Sequence, residues 1–232
     1  MKSKERAKKK PGSGWNAKKI GLVVIGVGFA VIMVVSSLGM GWLISLNPAS
    51  PGDRVTVAVT FYDGQNRPVL TSNIRTFNAT FEGGTMVWLC GPFSLRVGEN
   101  STKDIIPVPV YNYYYGESKF ALFSPEYNAI AREVAGMRQG ETKKVSLPTF
   151  SGLEREMTAE EFNGIGGNFT TVVPGDQVVL AFADQPTVSI EENVTPSYVI
   201  RTAFITAKST GGVRVNYAYP VAELSVTQVV KA

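Results

Sequence analysis

The chain has 232 residues, 44% of them hydrophobic, and carries 23 Lys and Arg against 19 Asp and Glu, with no histidine and a single cysteine. That inventory excludes Ser-His and Cys-His catalysis, histidine-bearing zinc sites and any internal disulfide. Eight of the basic residues lie between Lys2 and Lys19, so the rest of the chain is mildly acidic and lacks the cationic footprint of a nucleic-acid surface.

Residues 1–19, with Glu5 as their only acid, form a basic tail too polar to fold alone. From Ile20 to Leu46 no residue is charged. A helix rises about 1.5 Å per residue and needs about 20 apolar residues to cross a bilayer core, so 20–46 reads as a single transmembrane helix. A secretory signal peptide is the competing reading. Its apolar region usually runs about 7–15 residues and ends at a small-x-small site, which "SLNPASPGD" does not supply. The lysine excess before the helix predicts a single-pass membrane protein with a cytoplasmic N-terminus and everything after the linker 47–53 outside. Sequons at Asn78, Asn100, Asn168 and Asn193 lie on that outer side, the last weakened by Pro196. They are candidate N-glycan positions.

Past the linker, "RVTVAVTF" alternates Val55, Val57, Val59 and Phe61 with Thr56, Ala58 and Thr60, the period of a strand with one buried face. "DGQNRP" turns the chain, and "PVLTS" follows as a second short strand. Residues 73–117 have weak periodicity and read as a long excursion with two β-pieces. Cys90 within them reads as a small buried apolar residue. Tyr111, Tyr113, Tyr114 and Tyr115 read either as a strand edge packed with tyrosines or as a contact patch for unfolded chains, because Tyr offers rigid amphipathic area at low entropic cost.

"KFALF" is strand-like. Ser124 is a candidate N-cap with Pro125 at the first helical position, and Ile130, Val134 and Met137 share one helix face. Gly140 ends a reversal, and "ETKKVSLP" continues as a strand with Val145 and Leu147 turned inward. A helix this short is marginal alone, so it is expected to lie across a sheet. Residues 153–212 have their own turn signals, a capping-box spacing at Thr158 and Glu161, and the strand candidates "QVVLAFA", "TVSIEE" and "YVIRTAFITAK". "GVRVNYAYPVAELSVTQVVKA" closes the chain as an alternating strand pair. The elements predict an α+β protein dominated by antiparallel sheet, with a smaller β-rich insert.

This arrangement resembles the FKBP-type peptidyl-prolyl cis-trans isomerases, and within them the SlyD-like long forms of bacteria and archaea. The residues that carry the resemblance are the corner "AGMRQGETKKVSLP", the segment from "MTAEEF" through "GDQVVLAFADQ" to "RTAFITAK", and the closing "VNYAYPVAELSVTQVV", where Tyr219 stands at the family's histidine. The resemblance implies a single transmembrane helix followed by an FKBP-like antiparallel half-barrel with one short helix over 54–152 and 213–232, and a chaperone-like flap domain inserted at 153–212. It implies isomerisation of X-Pro bonds in unfolded or proline-containing polypeptides, with no cofactor and no metal. A dry apolar pocket that binds the twisted amide better than either planar isomer lowers the barrier by differential binding.

Carried over residue by residue, the resemblance places the pocket at Val59, Val69, Leu70, Phe120, Tyr127, Ile130, Phe150 and Leu224. The family's Asp falls at Leu70, and its Ala-Tyr-Gly hydroxyl falls near Phe150 and Ser151, where no tyrosine stands. Two functions follow. One is a tethered isomerase and folding helper for exported proteins. The other is a catalytically inactive module of the same fold, a binding or structural module of the cell surface, with 73–117 and the tyrosine run as its contact face.

Overall fold

The computed structural model describes residues 17–37, 47–183 and 197–232. The chain divides into two units, one ending at Ile44 and one running from Ser45 to Ala232. The strand candidate "TVSIEE" and the sequon at Asn193 lie outside the described residues.

The first unit holds helix α1 (Ala17–Ser37), 21 residues long. It opens on Ala-Lys-Lys and is followed by apolar side chains, among them Leu22, Ile25 and Phe29, that are exposed. Among the described residues no helix is long and apolar enough to cross a membrane. This corrects the transmembrane helix expected over 20–46 and the single-pass location built on it. The helix is described only to Ser37, and with lysines in its first turn its uncharged part falls below the about 20 residues that a bilayer core requires. Residues 38–46 of the expected span lie outside the described residues.

Among the described residues, the second unit is built on one curled, mixed sheet of twelve strands. Strand β1 (Arg54–Tyr62) is its axis, with Val55, Val57, Val59 and Phe61 buried as the alternation requires. Along one side β1 pairs with β12 (Val221–Val230), which is flanked by β7 (Thr142–Ser146). Along the other side its second half pairs with β2 (Pro68–Thr71) and its first half with β4 (Phe93–Arg96). From β2 the sheet continues through β3 (Trp88–Cys90), β5 (Ile105–Asn112), β6 (Gly116–Phe123), β10 (Tyr198–Lys208), β11 (Gly212–Asn216) and β8 (Glu154–Thr158). Strand β9 (Gln177–Ala183) pairs with β10.

Three features differ from the expected fold class. The sheet is mixed rather than antiparallel, because β2 runs parallel to β3 and β6 parallel to β10. The strands expected as a separate insert join the main sheet through Ile200 beside Phe120. There are four helices among the described residues rather than one short helix after a membrane span: α1, α2 (Ile74–Glu82), α3 (Ser124–Glu133) and α4 (Ala159–Gly164).

Helix α2 lies inside the supposed excursion. The Asn73 side chain caps it by accepting the N–H groups of Arg75 and Thr76 at 2.9 and 3.4 Å, and Phe77 supplies the buried anchor. Helix α3 starts one residue before expected, with Phe123 at the cap position. The Phe123 N–H donates to Glu126 Oε2 at 3.0 Å, so the N3 carboxylate satisfies the cap residue's backbone donor, the half of a capping box that needs no polar cap side chain. At α4 Thr158 and Glu161 form the reciprocal capping pair, at 2.8 and 3.2 Å.

Two hydrophobic clusters fill the unit. The larger lies between the β1 region of the sheet and α3, whose Ile130, Ala131 and Val134 face inward with Met137, Val145 and Leu147 of the following corner. The second gathers Leu153, Met157, Phe162, Leu180, Ile205 and Tyr217.

The corner after α3 holds three chain segments together. Gly136 N–H donates to Ala49 O and Ala49 N–H to Met137 O, both at 2.8 Å, which ties the linker to the helix end. Gly140 N–H donates to Val226 O at 2.7 Å and Val226 N–H to Glu141 O at 3.0 Å, which sets the closing strand. Gly140 has φ +84, and a Cβ placed there meets nothing within 4 Å. Substitution is therefore opposed by backbone conformation alone. Gly140→Ala is expected to lower unfolding stability by about 1–3 kcal/mol with an unchanged denaturant m-value, as read by urea titration.

Candidate functional site

Six of the eight residues assigned to the pocket share one cluster. Val59 stands on β1, Val69 and Leu70 on β2, Phe120 on β6, Ile130 on α3 and Leu224 on β12, and all are buried. Tyr127, on α3, is half-buried and packs against the same cluster. Burial, and then the neighbouring Glu99 charge, raise its phenol pKa above the ordinary value. Phe150 is 42% exposed and stands apart, its ring edge-on to Phe123 at 6.3 Å.

The space beside these residues is occupied by the protein itself. Tyr219, at the position of the family histidine, is 1% exposed; its ring stacks on Phe120 at 5.9 Å and tilts against Phe61 at 6.1 Å. Its hydroxyl donates to Thr202 O at 2.7 Å, and Trp88 Nε1 donates to Thr202 Oγ1 at 2.8 Å. Both large rings are therefore buried without leaving a polar atom unpaired.

At the centre of this filling lies an ion pair that sequence reasoning missed. Arg201 of β10 and Glu126 of α3 are both fully buried. The guanidinium donates to both carboxylate oxygens, Nη2 to Oε1 at 2.5 Å and Nη1 to Oε2 at 2.9 Å. Nη1 also donates to Ala121 O and Nε to Tyr217 O, each at 2.8 Å. Three rings surround the cation, with centroids at 4.1 Å (Tyr219), 4.5 Å (Phe123) and 5.7 Å (Phe120). Burial works against the charge of Arg201, but the Glu126 carboxylate and the tyrosine hydroxyls outweigh it and hold the pKa above its ordinary value. The sequence held one signal for this pair, an arginine inside the apolar strand "YVIRTAFI". Its partner is 75 residues away, and sequence alone does not locate it.

Four surface cavities among the described residues of the unit are lined by none of the eight assigned residues. The exposed aromatic surface lies elsewhere, at the β5–β6 turn. Asn112 is fully buried there, with Nδ2 donating to Val87 O and Oδ1 accepting the Tyr114 N–H, both at 2.8 Å. That fixes a turn of three consecutive tyrosines. Tyr113 meets Phe77 and Phe81 of α2 at 5.1 and 4.8 Å, and Tyr114 meets Phe81 at 5.0 Å while remaining 78% exposed. A cavity of about 810 Å³ opens beside Ile74, Leu89 and Tyr111, and one of about 470 Å³ beside Phe81, Tyr114 and Met86. Asn78 lies in α2 and accepts from the Tyr113 hydroxyl at 3.3 Å, whereas Asn100 and Asn168 are exposed.

No model of a known protein family matches the chain, and no curated protein matches it.

Two measurements follow. Breaking a buried pair from one side leaves an uncompensated charge, so Arg201→Met or Glu126→Leu is expected to cost about 3–5 kcal/mol in urea unfolding, and the double variant less than the sum. Cys90 is buried, and burial pushes its thiol up to about 11. At pH 8 iodoacetamide should therefore alkylate it at least about 100-fold more slowly in the native protein than in denaturant, where the pKa returns to about 8.5.

Proposed function

We propose that the chain is a catalytically inactive module that binds unfolded or proline-containing polypeptides through its aromatic turn. One observation carries this reading: six of the eight residues that the family resemblance assigns to the pocket lie in a closed core completed by Tyr219 and Arg201, while Tyr113 and Tyr114 are exposed on another part of the sheet. Isomerase catalysis needs a place where the twisted amide binds better than the planar one, and a core without accessible surface offers none. Contact with an unfolded chain asks for less. Rigid tyrosine rings braced by Phe77 and Phe81 supply amphipathic area at low entropic cost.

The isomerase reading has its own observation in favour. Six assigned residues are gathered under one short helix, with Tyr127 half-buried at the margin. One assay separates the two. The full chain is added to a proline-limited refolding reaction, and its binding to a permanently unfolded, proline-containing polypeptide is measured in parallel. The binding module predicts no acceleration, together with binding that weakens about fivefold or more in Tyr113→Ser and Tyr114→Ser, the size expected for an aromatic anchor. Acceleration of refolding would favour the isomerase and reject the present reading.

A further inference from the structure

We propose that the outer edge of strand β9 is an interface for a second copy of this chain, each β9 pairing antiparallel with the other to make a two-fold dimer. Strand β9 pairs with β10 over all seven of its residues, from Gln177 beside Phe204 to Ala183 beside Tyr198. Among the described residues no strand lies along its other edge. That edge offers backbone N–H and C=O groups as a template for another strand.

The ladder fixes which groups are offered. At the start of the strand the Ile205 N–H donates to Asp176 O at 3.0 Å. Antiparallel strands exchange hydrogen bonds at every second residue pair, so Val178, Leu180 and Phe182 direct their backbone groups at β10, and Val179, Ala181 and Ala183 direct theirs outward. Ala181 and Ala183 are exposed.

Sequence sets this edge apart from the others. The two strands that end the sheet carry the charges that blunt an edge, Lys143 and Lys144 on β7 and Glu154, Arg155 and Glu156 on β8. Strand β4 is only four residues long. The stretch "QVVLAFA" has neither a charge nor a proline to interrupt pairing.

The same features choose the occupant. Two-fold antiparallel pairing centred on Leu180 uses all seven residues, sets Leu180 beside its copy and sets Val178 beside the second copy's Phe182. Val178 and Phe182 are half-buried at the margin of the second hydrophobic cluster, so these cross-strand pairs cover apolar surface that one copy leaves open. No charge of either strand opposes another. A disordered polypeptide would lose backbone freedom for each residue it ordered here, whereas a second β9 is already held extended by β10. The two-fold arrangement also closes, because each copy uses its one unblunted edge and leaves no template for a third.

The test is sedimentation velocity and amide hydrogen exchange by NMR on the full chain over a range of protein concentrations. A reversible dimer is expected, with protection of the Val179 and Ala181 N–H groups rising with its population, while Val178 and Leu180, bonded to β10, stay protected throughout. Ala181→Lys places a charge on the edge of both copies and should weaken the dimer about tenfold or more. Ala181→Pro removes an outward N–H and should do the same, so the outcome does not hang on one variant's folding. The inference is overturned by a monomer at every concentration, by association that both variants leave unchanged, or by protection of Val179 and Ala181 that does not vary with concentration, since the edge would then be covered within one copy. Tyr113→Ser and Tyr114→Ser should leave the dimer intact, so dimerisation and polypeptide binding stand or fail separately.

Discussion

A carboxylate and a guanidinium withdrawn completely from water must satisfy each other, and the second unit is organised around one such pair, Glu126 and Arg201. Desolvating both ions is expensive, and their mutual attraction compensates only when the geometry is good and the remaining donors are used. Here two carbonyls and three aromatic rings complete the cation's surroundings. Glu126 also accepts the N–H of Phe123, the cap residue of α3. The same carboxylate thus starts the helix that covers the main core and receives the arginine of β10. Arg201 stands where the two hydrophobic clusters meet, between Phe120 and Tyr219 on one side and Phe123 and Tyr217 on the other. The parallel pairing of β6 with β10 is a single bridge at Phe120 and Ile200, and the ion pair next to it holds that junction.

This arrangement supports the functional reading proposed above. A pocket for a contorted amide needs an opening, and the space that the family resemblance assigns to it is filled by an arginine, its counter-ion and Tyr219. The large groups form one interlocked set: Tyr219 needs Thr202 for its hydroxyl, Thr202 also receives Trp88, and Arg201 needs the Tyr219 face. Opening the hollow would separate buried charges and strand several donors at once, which makes transient opening costly. The exposed tyrosines need no such rearrangement.

Periodic, local features were legible in the sequence. Val55 to Phe61 alternate as buried residues, Ile130, Val134 and Met137 share the inward face of the corner, and Thr158 with Glu161 caps a helix. Helix α2 was missed although Ile74, Phe77 and Phe81 have helical spacing, because a nine-residue element among glycines and sequons carries little periodic signal. The long span of uncharged residues at the start suggested a membrane crossing that the described helix does not provide. Parallel pairing of β2 with β3 and of β6 with β10 left no local trace, since register between distant strands is set by tertiary packing. At the candidate site the positions that come together were readable, but the filling of the space was not. It depends on Arg201 meeting Glu126, a contact between distant segments: the arginine stands out in its apolar strand, but nothing local marks Glu126 as its partner.

The Nε–H of Arg201 tests this account most directly. As a fully buried donor to the Tyr217 carbonyl, it should give a resolved side-chain NMR signal whose hydrogen exchange is as slow as that of the most protected backbone amides of β1, because both exchange only through global opening. Exchange at the rate of the exposed guanidinium of Arg132 would mean that the hollow is open to water, and the closed core on which the functional reading rests would be wrong.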